Sequence, residues 1–565
     1  MKIIILAPEV SQKIAAGEVI ERPFSVVKEL VENSLDAGSS EVKVELAAGG
    51  KKLVRVTDDG QGMTREDALL CFERHSTSKL TSLEDLNRIS TLGFRGEALP
   101  SISAVSRVVL KTSDGSRGMG TLLEREGEKL IQVSDIAFPR GTSVEVRDLF
   151  FNLPARQKFL RSDKSELSSI VKQLANVSLA YPEKRFTLSH GTRQIFDYPA
   201  VKSLKERIFQ VYGKSFLEQL LEIDFKDEGW RIFGYASSPP SGRRDKSLQS
   251  FFVNRRPVRD RTLQAALNQA YRGFLEKDYF AESIIFLFCP YSEVDINVHP
   301  TKAEVRFKDS SLVFHLVLES IEQAFLKAKG IKEVYPFKAE EKAKFSTREE
   351  IVPPSFQLKR EEAASKQGLF FSLAEEERAF PRALGQYQET YIVALSKDGI
   401  IILDQHNAHE RVLFEQYEEI DQKKKWPQKM ALLPIVFELS PSQVLSFEDN
   451  ELQLEEVGFR IEAMGGRSFA LKEYPDIFKE EEAKDILLSL LEEIGREEIE
   501  DRKKKILATL ACKTAVKAGQ ALSLEKMNYL VEELFKTSNP SLCPHGRPVM
   551  VMLDRKEIER ALKRS

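Results

Sequence analysis

Val26-Val27-Lys28-Glu29-Leu30-Val31-Glu32-Asn33-Ser34-Leu35-Asp36-Ala37-Gly38 is the stretch on which the reading of this chain turns. Val26, Val27, Leu30, Val31 and Leu35 recur at helical spacing, which predicts a helix with one apolar stripe. Glu29 and Asn33 are four residues apart and share a face of that helix. A carboxylate beside a side-chain amide suits a magnesium-dependent phosphate site. Glycine-containing motifs follow: Asp58-Asp59-Gly60-Gln61-Gly62, then Gly93-Phe94-Arg95-Gly96-Glu97-Ala98-Leu99, then Gly141-Thr142. Glycines let backbone amides approach a polyphosphate closely. Singly, each piece is also an ordinary amphipathic helix or an ordinary turn. Their order along the chain points to a nucleotide.

A length of 565 residues predicts three or more domains. The formal net charge of -3 excludes a uniformly basic nucleic-acid coat but leaves room for local basic grooves. Four cysteines, at 71, 289, 512 and 543, argue against a disulfide framework. The apolar run Ile3 to Ala7 after Lys2 is too brief for a signal peptide or a membrane span, so a cytoplasmic protein is expected.

Alternation in Val42-Lys43-Val44-Glu45-Leu46 and Leu53-Val54-Arg55-Val56 predicts strands with one apolar face. Ser283 to Phe288, Tyr391 to Leu395 and Gly399 to Leu403 read as further strands. Between 332 and 378 the sequence is rich in Lys and Glu, is broken by Pro353 and Pro354, and reads as a mobile tether.

A second constellation begins at Asp404-Gln405-His406-Asn407-Ala408-His409-Glu410, with Glu415 five residues on. A helix starting here directs His406 and Glu410 to one side. Cys512 and Cys543-Pro544-His545-Gly546-Arg547-Pro548 follow much later. Carboxylate, imidazole and thiolate together suit zinc or manganese. The spacing is not His-Glu-x-x-His, which disfavours a zinc protease. The bland alternative is a surface helix and two small core thiols. Arg255, Arg256, Arg259 and Arg261, and Arg156, Lys158, Arg161 and Lys164, form basic runs; such runs are more often solvated faces than binding sites.

Ile14 to Pro23, Arg74-His75-Ser76-Thr77-Ser78-Lys79, Gly93 to Leu99 and Leu149 to Arg156 carry a close resemblance to the GHKL ATPase superfamily. Within it, their wording resembles the MutL family of mismatch-repair proteins, over nearly the whole chain except the central tether. The resemblance implies a mixed α/β fold: a GHKL (Bergerat) ATPase sandwich at 1–204, a ribosomal S5-like transducer domain at 205–331 and a flexible linker at 332–378. A C-terminal α/β dimerisation and endonuclease domain would fill 379–565, with a regulatory insertion at about 435–500.

The resemblance also implies roles. Glu29 would be the general base for ATP hydrolysis, Asn33 a ligand of Mg2+, and Asp58 the acceptor for the adenine amino group. Gly62 and Thr142 would shape the base pocket, and Thr77 would contact the nucleotide. Gly93, Phe94, Arg95 and Gly96 would cap the phosphates, and Lys302 would reach the γ-phosphate from the second domain. The stretch from Asp404 is similar to the endonuclease pattern D-Q-H-A-x-x-E-x-x-x-x-E, with Asn407 in place of alanine. That makes Asp404, His406, Glu410, Cys512, Cys543 and His545 the residues of an endonuclease site for Mn2+ and Zn2+, with Asp404 and Glu410 catalytic.

The implied protein is a homodimeric, ATP-gated clamp on DNA that couples mismatch recognition by MutS to strand removal and nicks DNA itself. It would bind DNA without sequence preference, associate with the nucleoid and touch no membrane. Gln428-Lys429-Met430 resembles a segment that binds the replication sliding clamp, with Gln367 to Phe371 as a rival peptide. Two alternatives stand beside this one: an ATP-switched matchmaker without nuclease activity, and another GHKL machine of the topoisomerase or chaperone class. Ile14 to Pro23 and the Cys543 motif disfavour the last.

Overall fold

A computed structural model describes residues 20–79, 91–93, 96–116, 118–243, 246–275, 279–295, 305–328, 381–424, 426–494, 502–517 and 519–562. Ile14 to Val19, Phe94, Arg95, Lys302, the 332–378 tether and the Gln367 to Phe371 peptide lie outside the described residues.

The stretch that opens the sequence reading is a helix, Pro23–Asp36. Proline in its first turn costs nothing, because amides there lack a helical partner anyway. Its apolar stripe packs on an eight-stranded sheet: β1 (Glu41–Ala47), β2 (Leu53–Asp58), β3 (Arg107–Ser113), β4 (Gly120–Glu126), β5 (Lys129–Ile136), β6 (Gly141–Arg147), β7 (Arg185–His190) and β8 (Arg193–Tyr198). The strand order is β5-β4-β3-β6-β2-β1-β7-β8. Only the β1–β7 pairing in this sheet is parallel. Val42, Val44 and Leu46 alternate inward along β1 and meet Val26, Leu30 and Val31. A second helix, Asp163–Ala180, covers the same face and is capped by the Ser162 side chain, which accepts from the Ser165 amide.

A five-stranded sheet follows: β9 (Leu220–Asp227), β10 (Trp230–Ser237), β11 (Gln249–Val253), β12 (Arg256–Val258) and β13 (Ser283–Phe288), in the order β12-β11-β13-β10-β9. β13 is apolar from Ile284 to Phe288 because both its faces are covered. Ile284 and Phe286 join the core of the first sheet, while Ile285 and Leu287 pack under helices Arg261–Ala270 and Ser310–Ala328. One strand therefore welds the two sheets. A short pair, β14 (Val294–Asp295) and β15 (Arg306–Phe307), completes this region.

The C-terminal region holds two sheets. β16 (Arg382–Tyr387), β17 (Tyr391–Ser396), β18 (Gly399–Asp404) and β22 (Met550–Asp554) are ordered β16-β17-β18-β22; β19 (Gln428–Glu438), β20 (Arg460–Gly465) and β21 (Ser468–Pro475) are ordered β19-β21-β20. Alternation in the first sheet buries Ile392, Ala394, Ile401 and Leu403 beneath helices Gln405–Gln422 and Leu524–Lys536. Tyr391, Leu395, Val551 and Leu553 point the other way and are exposed.

Contacts tie the C-terminal region to the N-terminal one. Arg193 makes a two-pronged pair with Glu448 at 2.7 and 2.8 Å, and Arg467 donates to the carbonyls of Val211 and Gln210 at 2.8 Å each. Arg243 sits between Glu282 and Glu492, 3.6 and 3.0 Å away. Among the described residues, no helix is long and apolar enough to cross a membrane.

Candidate functional site

The Pro23–Asp36 helix aligns Glu29, Asn33 and Asp36 along one face. Lys79 Nζ donates to Asn33 Oδ1 at 2.9 Å and to Asp36 Oδ2 at 2.6 Å. Asp36 also accepts from the amides of Leu92 and Gly93, at 2.8 and 2.9 Å. The glycine motif is thus moored to the helix through a residue that the sequence reading passed over. Asp36 could have been found there, because it lies three residues beyond Asn33 on the same face. Glu29 forms a longer ion pair with Lys28, at 3.8 Å. Thr77 Oγ1 accepts from the Lys79 amide at 3.1 Å, shaping the turn that brings the ammonium in.

Asp58 ends β2 directly opposite Thr142 of β6. Register alone therefore unites two motifs more than eighty residues apart in sequence. Asp58 Oδ2 accepts from Ser34 Oγ at 2.7 Å, and Oδ1 accepts from the Gly60 amide at 3.0 Å. Burial raises the Asp58 pKa, with Ser34 and the Gly60 and Thr142 amides pulling partly against it. The Thr142 hydroxyl meets Thr112 Oγ1 at 3.0 Å. Gly62 has φ +68°, and a Cβ there would lie 1.9 Å from the Ser113 carbonyl oxygen. Only glycine fits this turn.

In the C-terminal region Asp404 ends β18 and caps the Gln405–Gln422 helix, its Oδ1 accepting from the Asn407 amide at 2.9 Å. The chain then brings two sets of ligand-type residues together: His406, Glu410 and Cys512, and Glu410, Cys543 and His545. Within each set the ligand atoms lie within 4.8 Å of one another. Glu410, 2% exposed, belongs to both. Asp404, the sixth residue expected here, falls in neither set; the helix cap engages its carboxylate instead.

Burial works against the charge on Glu410, yet the His545 ring, with Nδ1 2.8 Å away, holds its pKa below the usual value. Burial and the Glu410 carboxylate push the Cys512 thiol up to about 12, and burial pushes Cys543 up. The buried Glu410 carboxylate thus faces two neutral thiols and an imidazole, an uncommon set of neighbours for an apolar core. The same donors fit a thiophilic divalent metal well, since its charge would favour ionised thiols and carboxylate together.

Neighbouring motif residues do other work. His406 Nδ1 lies 3.0 Å from the Val516 carbonyl oxygen, and His409 Nδ1 accepts from the Val516 amide at 2.8 Å. Burial, then the nearby His406, lower the His409 pKa to about 4, so this ring is a neutral acceptor. Glu415 turns away from the cluster and accepts from the Ser538 amide and hydroxyl, at 2.9 and 2.7 Å. Asn407 donates to the Pro548 carbonyl at 3.2 Å, tying the helix to the Cys543 loop.

A cavity of about 1850 Å³ lies between the N- and C-terminal regions, and Glu410, Cys512 and His545 form part of its wall. Arg161, Arg259, Arg261, Lys505 and Arg547 also line it. Asn33, Asp58 and Gly62 do not line it.

Two arginines of the basic run from Arg255 to Arg261 are structural. Arg256 is 4% exposed and donates to the carbonyls of Thr91 and Leu92, at 2.9 and 3.0 Å. Arg255 pairs with Glu183 at 2.6 Å and lies over the Tyr181 ring. Buried carbonyls compete for guanidinium more effectively than a distant phosphate. The clamp-like segment sits on β19, where pairing with β21 is irregular between Met430 and Ile435. Met430, Leu432 and Leu433 are 77%, 90% and 77% exposed there.

Three family models match in succession. Residues 20–145 match the histidine kinase-, DNA gyrase B- and HSP90-like ATPase, 208–326 the C-terminal domain of DNA mismatch repair protein, and 384–522 the MutL C terminal dimerisation domain. The DNA mismatch repair protein MutL of Koribacter versatilis is 38% identical over 644 residues, covering 100% of both chains. That of Syntrophotalea carbinolica is 38% identical over 625 residues, again covering 100% of both. Among solved structures, the Aquifex aeolicus MutL ATPase domain complexed with ADP is 29% identical, covering 53% of this chain and 98% of that one, at a TM-score of 0.37. Full-length identity at this level, with an ATPase domain ahead of a dimerisation domain, means that the chain belongs to the MutL family of DNA mismatch repair proteins.

Proposed function

We propose that the chain is an ATP-gated homodimeric clamp that nicks DNA during mismatch repair through a metal site in its C-terminal region. The observation that carries the nuclease reading is the convergence of His406, Glu410, Cys512, Cys543 and His545, of which Glu410, Cys512 and His545 line a cavity that also presents arginines and lysines. A divalent metal held there, Zn2+ or Mn2+, would supply Lewis acidity and an activated water. Glu410 and His545 would hold ligand positions, and Asp404, at the head of the same helix, would use its second carboxylate oxygen to accept the proton of the attacking water. Arg259, Arg261, Lys505 and Arg547 would hold the DNA backbone without reading its sequence, which makes binding strongly salt-dependent.

At the ATP site, Glu29 would orient water and take its proton, Asn33 would hold Mg2+, and Asp58 would accept from adenine. Gly62 and Thr142 shape the base pocket, Gly93 and Gly96 cap the phosphates, and Thr77 supports Lys79 against them. Lys79 contacts the same Asn33 oxygen, so a Mg2+ held there would compete with its ammonium.

MutS and the sliding clamp are the proposed partners. The exposed Met430, Leu432 and Leu433, on a strand whose pairing is irregular there, support the clamp assignment. The deciding experiment is nicking of supercoiled plasmid by the full chain in Mn2+, with and without ATP and clamp. Nicked circles that form only with the divalent ion support the reading. An intact plasmid under every divalent ion reduces the protein to an ATP-switched matchmaker.

A further inference from the structure

Gln405 and His409 lie in the metal-site motif, yet neither belongs to either ligand set. Both instead grip the chain that follows the Cys512 helix, Arg502–Thr514. Gln405 is fully buried, and its Nε2 is directed at three carbonyl oxygens: Glu389 at 2.9 Å, Lys517 at 2.8 Å and Gln520 at 3.1 Å. His409 Nδ1 accepts from the Val516 amide. The carbonyl of that same residue faces His406 Nδ1.

A carbonyl oxygen can only accept, so the hydrogen of this last contact sits on His406 Nδ1. The lone pair of the ring is then on Nε2, the nitrogen left to ligate. By the same logic His409 is the opposite tautomer, because its Nδ1 accepts. We propose that Gln405 and His409 are positioning residues of the metal site: they hold Val516 so that its carbonyl fixes the tautomer and orientation of His406. The Val516 loop leaves the Cys512 helix only two residues after Thr514, so the same grip also sets the end of the helix that carries the thiol. Outer-shell partners of this kind orient a ligating imidazole and raise its basicity, and their loss typically weakens metal binding about 10–100-fold.

The role of Gln405 and His409 rests on the metal reading of the cluster proposed above, and the test separates the two. Co2+ is titrated into the metal-stripped full chain, and affinity is read from the thiolate-to-cobalt charge-transfer band of Cys512 and Cys543. His409→Leu removes the acceptor, whereas His409→Asn keeps an oxygen where Nδ1 was. Gln405→Met removes the donor at nearly constant shape. The expected result is Co2+ binding about 10–100-fold weaker in His409→Leu and Gln405→Met, with His409→Asn restored to the wild-type affinity. Thermal unfolding of the metal-free chains separates this from a loss of fold; should His409→Leu fail to fold, Gln405→Met and His409→Asn decide. Wild-type affinity in His409→Leu or Gln405→Met overturns the positioning role, as does an Asn variant as weak as a loosened one. A wild-type chain with no cobalt band overturns the metal reading itself, and the positioning role with it.

Discussion

Lys79 Nζ lies 2.9 Å from Asn33 Oδ1, so an ammonium occupies the amide oxygen proposed for magnesium. The same ammonium neutralises Asp36, which is otherwise a buried carboxylate. The lysine ammonium thus ties the amide oxygen to the Asp36 carboxylate. Asn33→Ala should therefore fold normally, with Lys79 still bound to Asp36, yet lose magnesium-dependent ATP hydrolysis. Glu29→Ala should bind ATP and hydrolyse it about 10²–10⁴-fold more slowly, the usual contribution of a general base. Steady-state turnover beside nucleotide binding checks both, and wild-type turnover in either variant removes that residue from the chemistry.

Asp58→Asn should separate stability from function. Burial raises the Asp58 pKa, so the folded protein keeps its proton to higher pH than the unfolded chain. Stability therefore falls as pH climbs through the window between the two values, and the deficit persists at neutral pH. An amide carries no such charge, so the unfolding midpoint at pH 7 should rise. ATP binding should weaken about 10–100-fold, as expected for loss of a hydrogen bond to a charged acceptor. Calorimetric unfolding and ATP titration of one preparation read both effects.

Asp404→Asn tests the proposed nuclease with little structural disturbance. Asparagine is as good a helix cap as aspartate, so the Gln405–Gln422 helix should survive. Nicking of supercoiled plasmid in Mn2+ should drop by about 10² or more, while ATPase turnover stays unchanged. Retained nicking would confine Asp404 to its capping role.

Arg207 is completely buried and donates to the carbonyls of Pro182, Lys184, Tyr198 and Pro199. It staples the end of β8 and the turn before β7 to the Leu204–Tyr212 helix. Arg207→Leu leaves several carbonyls without a donor and should destabilise the N-terminal region by at least about 3 kcal/mol. Denaturant unfolding measures it.

Val551→Glu places a charge in the exposed apolar face of the β16-β17-β18-β22 sheet, two residues from Leu553 and opposite Ile402. A dimer that buries this face should dissociate to monomer in sedimentation velocity at micromolar concentration. An unchanged dimer would move the interface elsewhere on the dimerisation domain.

Local spacing carried much of this molecule. Alternation in Val42 to Leu46 and Tyr391 to Leu395 foretold strands and their buried faces, and the stripe from Val26 to Leu35 foretold the helix. Those signals are legible because a strand repeats every two residues and a helix every 3.6, and burial selects one side. Ligand types at 406, 410, 512, 543 and 545 were also visible as chemistry, since few other uses bring imidazole, carboxylate and thiol together.

What spacing could not convey is which polar groups end up facing one another. Asp36 holding the Gly93 amide, Arg256 spent on the Thr91 and Leu92 carbonyls, and Asp404 drawn into a helix cap all depend on chain segments far apart in sequence. The sequence by itself determined the elements, their apolar faces and the inventory of reactive groups. The tertiary structure alone decided which of those groups serve one another, because a hydrogen bond is made at about 3 Å and only the packed chain sets distances at that scale.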